Sequence, residues 1–179
     1  MELYEITKEL EKSCQQVTEE QLQKFIDMVD GHKRIFCYGT GRSGLMLKAL
    51  AMRLMQMGYV SYVVGETTTP STEPGDLLIV ASASGETGSV CDAAESGVKQ
   101  GMDVIAITGS QESTLSKICN PLIRIDVATK FQTAASSVQP LGSLFEQMLL
   151  LIFDGIILKM SRRNEGTNEK MAKKHASIE

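Results

Sequence analysis

The stretch Arg34 to Gly44, RIFCYGTGRSG, decides the fold. A short run rich in β-forming residues, Arg34 to Tyr38, leads directly into the glycine loop Gly39 to Gly44. Leucine, methionine and alanine residues then continue in a helical pattern to Met57, and Gly58 closes that helix. A strand, a glycine-rich turn and a helix in this order predict the first unit of a parallel α/β sheet.

The same order of elements recurs along the chain. Strands alternate with helices and no hairpin signal is present, so the sequence predicts a three-layer α/β fold with a doubly wound, five-stranded parallel sheet. In such a fold, ligands bind beyond the carboxyl ends of the strands. The further strands are predicted at Tyr59–Val64, Leu77–Ala81, Val104–Thr108 and Leu122–Ile125, the later helices at about 88–100, 113–119 and 141–160, and an irregular stretch at 126–139.

Two terminal regions flank the predicted sheet. Leu3 to Val29 has apolar residues every three or four positions, which indicates helix, and Thr18 with Gln21 resembles a capping box that divides it into two helices. The lysine-rich tail after Arg163 is expected to be mobile. We expect a single domain over 1–179, with N-terminal helices in 1–30 and a C-terminal tail in 164–179.

Composition excludes several classes of function. The 179 residues carry 18 Lys and Arg against 22 Asp and Glu, with a net charge of −4. This charge lacks the basic excess that a nucleic-acid backbone requires, so we expect no nucleic-acid partner. The acidic N terminus is unlike a targeting signal, and the densest apolar run, Met148 to Leu158, is interrupted by Asp154 and too short to span a membrane. We therefore expect a cytoplasmic protein with no membrane partner.

Residue types that bind metals are sparse. The four cysteines are scattered without a CxxC pair or a neighbouring histidine, and the chain has two histidines. We expect free thiols packed as small apolar groups, and no metal site. The residues concerned are Cys14, Cys37, Cys91, Cys119, His32 and His175.

The glycine loop Gly39 to Gly44 allows two interpretations. It matches GxGxxG between a strand and a helix, and Glu66 follows at the distance of a dinucleotide fingerprint, which would indicate an NAD(P)-dependent oxidoreductase. However, such glycines let backbone amides approach any phosphate at a helix N terminus. The loop alone therefore leaves both a nucleotide and another phosphate ester open.

A second small-residue loop, Ser82 to Gly88, favours a compact phosphate monoester. It places three hydroxyl groups at another helix N terminus, which suits a ligand that accepts several hydrogen bonds. The alternative is that the hydroxyls only cap the helix, although one would be enough for that. The hydroxyls belong to Ser82, Ser84 and Thr87 around Gly85, and Arg42 and Ser43 of the first loop would face them.

One carboxylate, Glu146, falls in the first turns of the most apolar helix of the chain. Because burial of an unpaired charge is costly, this group is either paired structurally or held partly desolvated as a base. Asp154 lies two turns later on a similar face and is a competing candidate. His175 lies in the tail, where a solvated histidine is the default interpretation.

These segments, in this order, resemble the SIS (sugar isomerase) family, and within it the 6-phospho-3-hexuloisomerase group. The resemblance extends along nearly the whole chain and implies a flavodoxin-like five-stranded sheet and no cofactor. The motifs are GTGRSG at 39–44, AMRLMQMG at 51–58, VGETTTP at 64–70, SASGET at 82–87, SVQPLGSLFEQ at 137–147 and KKHASIE at 173–179. The implied reaction interconverts 3-hexulose 6-phosphate and fructose 6-phosphate, in the ribulose monophosphate route of formaldehyde handling. A homotetramer with sites between subunits is also implied.

The resemblance assigns roles to individual positions. Glu146 matches the proton acceptor proposed for the family, and His175 matches a histidine that SIS isomerases can lend to a neighbouring subunit's site. Ala83 replaces a common glycine and Ser177 a common asparagine. A non-catalytic SIS sensor of sugar phosphates is the alternative function. The expected substrate-binding residues are Gly39, Arg42, Ser43, Ser82, Ser84, Gly85, Glu86 and Thr87.

Overall fold

A five-stranded parallel sheet organises the computed structural model, which describes residues 1–126 and 137–178. Each strand and helix expected from the sequence is present, with an additional helix in the tail. The strands are β1 (Arg34–Tyr38), β2 (Val60–Val63), β3 (Leu77–Ser82), β4 (Asp103–Thr108) and β5 (Ile123–Arg124). The helices are α1 (Glu2–Cys14), α2 (Glu19–Gly31), α3 (Gly41–Met57), α4 (Gly88–Lys99), α5 (Thr114–Ile118), α6 (Ser143–Ser161) and α7 (Thr167–Ala172).

The strand order is β2-β1-β3-β4-β5, and every neighbouring pair is parallel. The chain reverses its direction across the sheet between β1 and β3, where Tyr38 pairs with Val80. Such a reversal leaves a crevice at the carboxyl ends of the two strands. The predicted doubly wound α/β fold is therefore confirmed.

Alternation of side chains along the strands creates two cores. Ile35 and Cys37 of β1 pack in a cluster with residues of α2, α3 and α6, whereas Phe36 packs in a second cluster with residues of α4 and α5. All six residues of β3 are buried, as expected for a central strand covered on both faces. The result is the predicted three-layer arrangement.

The helix boundaries follow local backbone chemistry. Thr18 and Gln21 form the predicted capping box at the start of α2, and Gly58 ends α3 in a left-handed conformation with φ of 106°. Helix α6 begins at Ser143 rather than 141, because Leu141 has φ of 56°, which is incompatible with helix. Most of the stretch 126–139, predicted to be irregular, lies outside the described residues.

Helix α7 lies in the tail that was expected to be mobile. Its residue Met171 packs against the larger core cluster, which explains why this segment has a defined position beside α3. None of the helices within the described ranges has the length and apolar character that a bilayer span requires.

Candidate active site

A cleft of about 270 Å³ opens at the carboxyl ends of β1 and β3. Its walls come from the start of α3, the turn between β3 and α4, and the segment that leads into α6. This is the position that the crevice rule for parallel sheets predicts. Six of the residues proposed from the sequence line it: Arg42, Ser43, Ser82, Ser84, Thr87 and Glu146.

Three helix N termini meet at this cleft. The N-cap residues of α3, α4 and α6 are Thr40, Thr87 and Gly142, and none of them makes a side-chain capping hydrogen bond. The first N–H groups of a helix lack intrahelical partners, and the helix dipole places partial positive charge there. The cleft therefore offers an anion several oriented donors. The interpretation that the hydroxyls of the second loop merely cap α4 is not supported, because Thr87 does not cap it.

The turn between β3 and α4 is held by its own hydroxyl groups. Ser82 Oγ lies 2.9 Å from Thr87 Oγ1 and accepts a hydrogen bond from the N–H of Gly85 at 3.1 Å. Ser84 Oγ accepts from the N–H of Glu86 at 3.1 Å. Ser82 is buried, whereas Ser84 and Thr87 are partly exposed to the cleft. The turn is thus held by its own hydrogen bonds, and the hydroxyls of Ser84 and Thr87 face the cleft.

Two of the predicted glycines support the cleft without lining it. Gly85 has φ of 67°, and a Cβ there would lie 2.5 Å from Ser113 Cβ, so no other residue fits this turn. A Cβ on Gly39 would lie 2.6 Å from Leu47 Cδ1. The first glycine therefore lets α5 approach the turn, and the second lets α3 approach the end of β1.

Glu86 is oriented away from the cleft. Its carboxylate accepts hydrogen bonds from the backbone N–H of Thr114 at 2.8 Å and from the Thr114 hydroxyl at 2.7 Å. These bonds lower the pKa of Glu86. The side chain thus attaches the turn to the start of α5, and its proposed role in substrate binding is one of support rather than direct contact.

Glu146 faces the cleft and forms an ion pair with Arg42. The distance from Arg42 Nε to Glu146 Oε2 is 2.5 Å, and the side chains are 62% and 17% exposed respectively. Of the two states left open for this carboxylate, the structure shows the paired one, and its partner is itself a proposed phosphate ligand. The competing Asp154 is exposed and lines a different surface with Arg53.

His175 lies far from the cleft of its own chain. It is exposed, and its Nδ1 lies 3.1 Å from the backbone oxygen of Ala176. The preceding Lys174 extends to Gly58 at the end of α3, where a Cβ would lie 2.9 Å from its Nζ. Because α3 is 17 residues long, its two ends are roughly 25 Å apart. The structure does not bring His175 and Glu146 together within one chain.

Six further residues line the cleft but were not proposed from the sequence: Thr40, Gly41, Ala81, Ala83, Leu141 and Gly142. Five of the six lie within the motifs at 39–44, 82–87 and 137–147, and Ala81 directly precedes one, so these motifs were the available signal. Glu66, the acidic residue of the dinucleotide interpretation, pairs with Lys48 at 2.9 Å.

Comparison with known proteins places the chain in a family. Residues 28–151 match the family model described as SIS domain. The chain belongs to the SIS domain family. This assignment agrees with the five-stranded parallel sheet and with the resemblance seen in the sequence motifs.

Relatives of this SIS chain include named enzymes. It is 40% identical to a protein from Bacillus subtilis named 3-hexulose-6-phosphate isomerase, with 98% of this chain and 96% of that protein covered. A protein of the same name from Mycobacterium gastri is 36% identical, covering 96% and 86%. The solved structure of a Methanococcus jannaschii protein, for which a 3-hexulose-6-phosphate isomerase function was inferred, superposes with a TM-score of 0.85 at 32% identity, covering 99% of each chain.

Proposed function

We propose that this SIS protein interconverts 3-hexulose 6-phosphate and fructose 6-phosphate, as a step of the ribulose monophosphate route. The observation that carries the proposal is the orientation of one carboxylate, Glu146, into a cleft that two phosphate-type turns also line. Relatives named for this activity, aligned over nearly the whole chain, support the same substrate class. The proposed catalyst is an isomerase that works without a cofactor.

The phosphate of the substrate is proposed to bind between the two turns. Ser84 and Thr87 offer hydroxyl donors, and the N termini of α3 and α4 add backbone donors beside Ser43. Anchoring C6 in this way fixes the position of the carbons nearer C1, so remote binding energy is used for orientation. Gly39, Ser82, Gly85 and Glu86 would maintain the shape of the turns.

Glu146 is proposed to carry the proton. Isomerisation moves a carbonyl group from C3 to C2, which requires removal of the C2 proton, formation of a shared enediol, and delivery of a proton to C3. The C2–H and O2–H bonds break, C3–H and O3–H bonds form, and the carbonyl moves from C3 to C2, so no electron acceptor is consumed. One carboxylate on one side of the sugar can perform both transfers.

Arg42 would change partners when the substrate binds. In the structure its guanidinium pairs with Glu146, and 62% of the Arg42 side chain is exposed, so rotation toward a phosphate is sterically open. A dianionic phosphate attracts a guanidinium more strongly than one carboxylate does. The exchange would release Glu146 to act as a base at the moment the site is filled.

His175 is proposed to act from a neighbouring subunit of a homotetramer in the cytoplasm. The rough 25 Å between the ends of α3 separates it from its own cleft, and residues 173–178 are exposed. Apolar side chains on α3 and α6 remain exposed and suit burial between subunits: Met52 (44%), Met55 (41%), Leu151 (41%) and Leu158 (50%). In the shared site, His175 would polarise a substrate hydroxyl or relay a proton.

The reaction is tested by incubating the purified chain with 3-hexulose 6-phosphate and measuring fructose 6-phosphate. Turnover without added nicotinamide or metal is expected. Binding of the sugar phosphate without turnover would instead indicate an SIS sensor. Reduction of NAD(P) in place of isomerisation would indicate the oxidoreductase suggested by GxGxxG.

Subunit complementation tests the origin of His175. Chains carrying Glu146→Gln are mixed with chains carrying His175→Ala after reversible dissociation. If the histidine comes from the neighbour, some mixed sites contain both native residues, and activity returns. If each site is built from one chain, the mixture stays as inactive as its parents.

A further inference from the structure

Glu9, on the N-terminal helix and outside the cleft, holds the segment that leads into α6. Its Oε2 accepts hydrogen bonds from the Ser137 hydroxyl at 2.9 Å and from the Gln139 side-chain amide at 3.0 Å. Its Oε1 accepts from the backbone N–H of Val138 at 2.7 Å. One carboxylate thus binds three consecutive residues that lie almost 130 positions away in the sequence.

Among the described residues, these are the hydrogen bonds that join the start of the segment to another element. Val138 and Leu141 are 69% and 72% exposed, so apolar burial does little to fix the chain here. The Ser137 hydroxyl also accepts the N–H of Gln139 at 3.0 Å, which gives this short piece a defined shape. Helix α1, which carries Glu9, has a fixed position because it packs against α6 and its Leu10 contacts the larger core cluster.

The held segment leads directly to the cleft wall. Leu141 and Gly142 line the cleft, and the carbonyl of Gly142 accepts the N–H of Glu146 at 3.1 Å. Leu141 adopts φ of 56°, a conformation that a leucine rarely adopts without outside support. A shift at residues 137–139 would therefore pass through a strained turn to the first turn of α6.

The titration of Glu9 agrees with this function. Burial raises its pKa, but the bonds from Val138, Gln139 and Ser137 outweigh that effect and leave the pKa below its usual value. The carboxylate is therefore ionised at neutral pH, the state in which it accepts all three bonds.

We infer that Glu9 is a positioning residue that sets the placement of Glu146 by holding residues 137–139. The inference rests on the proposed function, in which Glu146 transfers the proton. If Glu9 has this function, its loss should change kcat and KM to different extents. The phosphate-binding turn at 82–87 makes no hydrogen bond to α1 among the described residues, so loss of Glu9 should alter chemistry more than substrate binding.

The test compares Glu9→Ala with Glu11→Ala, a neighbouring exposed glutamate that makes no hydrogen bond or salt bridge to the described residues. We expect Glu9→Ala to lower kcat about 10-fold with KM changed less than about twofold, since small misplacements of a reacting group cost up to 100-fold. Glu11→Ala should match wild type. Glu9→Gln, which keeps one acceptor oxygen, should restore part of the lost kcat.

A double-mutant cycle tests the route from Glu9 to the segment. If Glu9 acts through residue 139, Glu9→Ala with Gln139→Ala should lower kcat by less than the product of the two single effects. Fully multiplicative effects would contradict the route. An unchanged kcat in Glu9→Ala, with active wild type, would overturn the inference itself.

Amide hydrogen exchange gives a readout that does not depend on turnover. The amides of Val138, Gln139 and Ser143, which donate hydrogen bonds to Glu9, Ser137 and Pro140, should exchange faster in Glu9→Ala than in Glu11→Ala. An inactive wild type would refute the proposed function but would leave the attachment of residues 137–139 to Glu9 standing. Unchanged exchange of these amides in Glu9→Ala would refute that attachment. Faster exchange with unchanged kcat in an active enzyme would mean that Glu9 holds the segment without positioning Glu146, which also overturns the inference.

Discussion

The two ends of the sheet differ in the groups that they offer to a negatively charged ligand. At the carboxyl ends, a cleft of about 270 Å³ combines three uncapped helix N termini, the partly exposed hydroxyls of Ser43, Ser84 and Thr87, and one arginine. At the amino ends, a larger cavity of about 670 Å³ is lined by Arg163, Lys170, Lys173 and Lys174. The smaller cleft has fewer charged side chains, but many of its hydrogen-bond donors are backbone N–H groups at helix N termini.

The difference supports the proposal that fixed donors, rather than cavity size or net charge, mark the site. The lysines of the larger cavity are exposed on long side chains, and Arg163 pairs with Asp30 at 2.5 Å. Asp30 also accepts the hydroxyl of Tyr59, and burial together with this bond raises the pKa of Tyr59 to about 12. Apart from His175, which is proposed to act in a neighbouring subunit, we expect substitutions at the carboxyl ends to change activity and substitutions at the amino ends to change stability alone.

The largest expected effect is on turnover. Glu146→Gln should lower kcat by about 100- to 10,000-fold while KM stays close to wild type, because the variant keeps the shape of the side chain but cannot accept a proton. Asp154→Asn, on the same helix but outside the cleft, is the matched control and should retain full activity. Loss of activity in Asp154→Asn, or full activity in Glu146→Gln, would contradict the proposal that the cleft carries the reaction.

The next effect concerns stability at the amino ends. Asp76 is buried and accepts two hydrogen bonds from Arg34, at 2.9 and 2.5 Å, and one from the N–H of Glu73 at 2.7 Å. Asp76→Ala leaves these donors unpaired and should lower the free energy of unfolding by about 3 kcal/mol. Urea denaturation measures this loss, and kcat under native conditions should be unchanged. A variant that is as stable as wild type but less active would reverse the comparison.

The same pair gives a pH dependence with a defined sign. Burial raises the pKa of Asp76, but the bonds from Arg34 and Glu73 dominate and place it below its usual value. As the pH falls, Asp76 is therefore protonated in the unfolded chain before it is protonated in the folded protein. The contribution of the Asp76 carboxylate to the free energy of unfolding is complete above about pH 4 and is lost as the pH falls through the folded pKa. Wild type should lose stability more steeply than Asp76→Ala in this acidic range, and parallel curves would contradict the argument.

Substrate binding should depend on the turn hydroxyls. Ser84→Ala and Thr87→Ala should each raise KM about 10-fold, the value of one hydrogen bond to a charged group. Ser161→Ala removes a hydroxyl that bonds the carbonyl of Leu158 near the opposite end of the molecule and serves as the control. If the three variants have equal KM values, the phosphate binds elsewhere.

The smallest effect is expected in the larger cavity. Lys170→Ala combined with Lys173→Ala removes two exposed positive charges from this region and should change KM by less than about twofold, because solvent screens them. Measuring KM at low and at high salt distinguishes a direct contact with the substrate from a long-range electrostatic effect. A several-fold increase in KM at both salt concentrations would show that this end of the sheet contributes to binding.

The sequence predicts the fold well because periodicity and glycine loops are local signals. All five strands and the Thr18 capping box follow from residues within a few positions of one another. The convergence of the first and second loops also follows, since parallel strands bring their carboxyl ends to one edge. The expectation that Glu146 lies beside these loops came from the resemblance to the SIS family. Six proposed side chains do line the cleft.

Other features depend on contacts between distant segments and could not be predicted. The orientation of Glu86 depends on Thr114, and the pairing of Glu146 depends on Arg42, each from another element. The attachment of residues 137–139 to Glu9 has no sequence signal. The position of α7 depends on packing against α3, which a lysine-rich composition does not reveal.

Deuterium exchange in fructose 6-phosphate tests the proposed proton transfer most directly. The substrate is incubated with enzyme in D₂O, and proton NMR follows the hydrogens on C1 and C3. Wild type and Asp154→Asn should exchange the C3 hydrogen, and Glu146→Gln should exchange it about 100-fold more slowly. Exchange at C1 instead of C3, or undiminished C3 exchange in Glu146→Gln, would contradict the assignment.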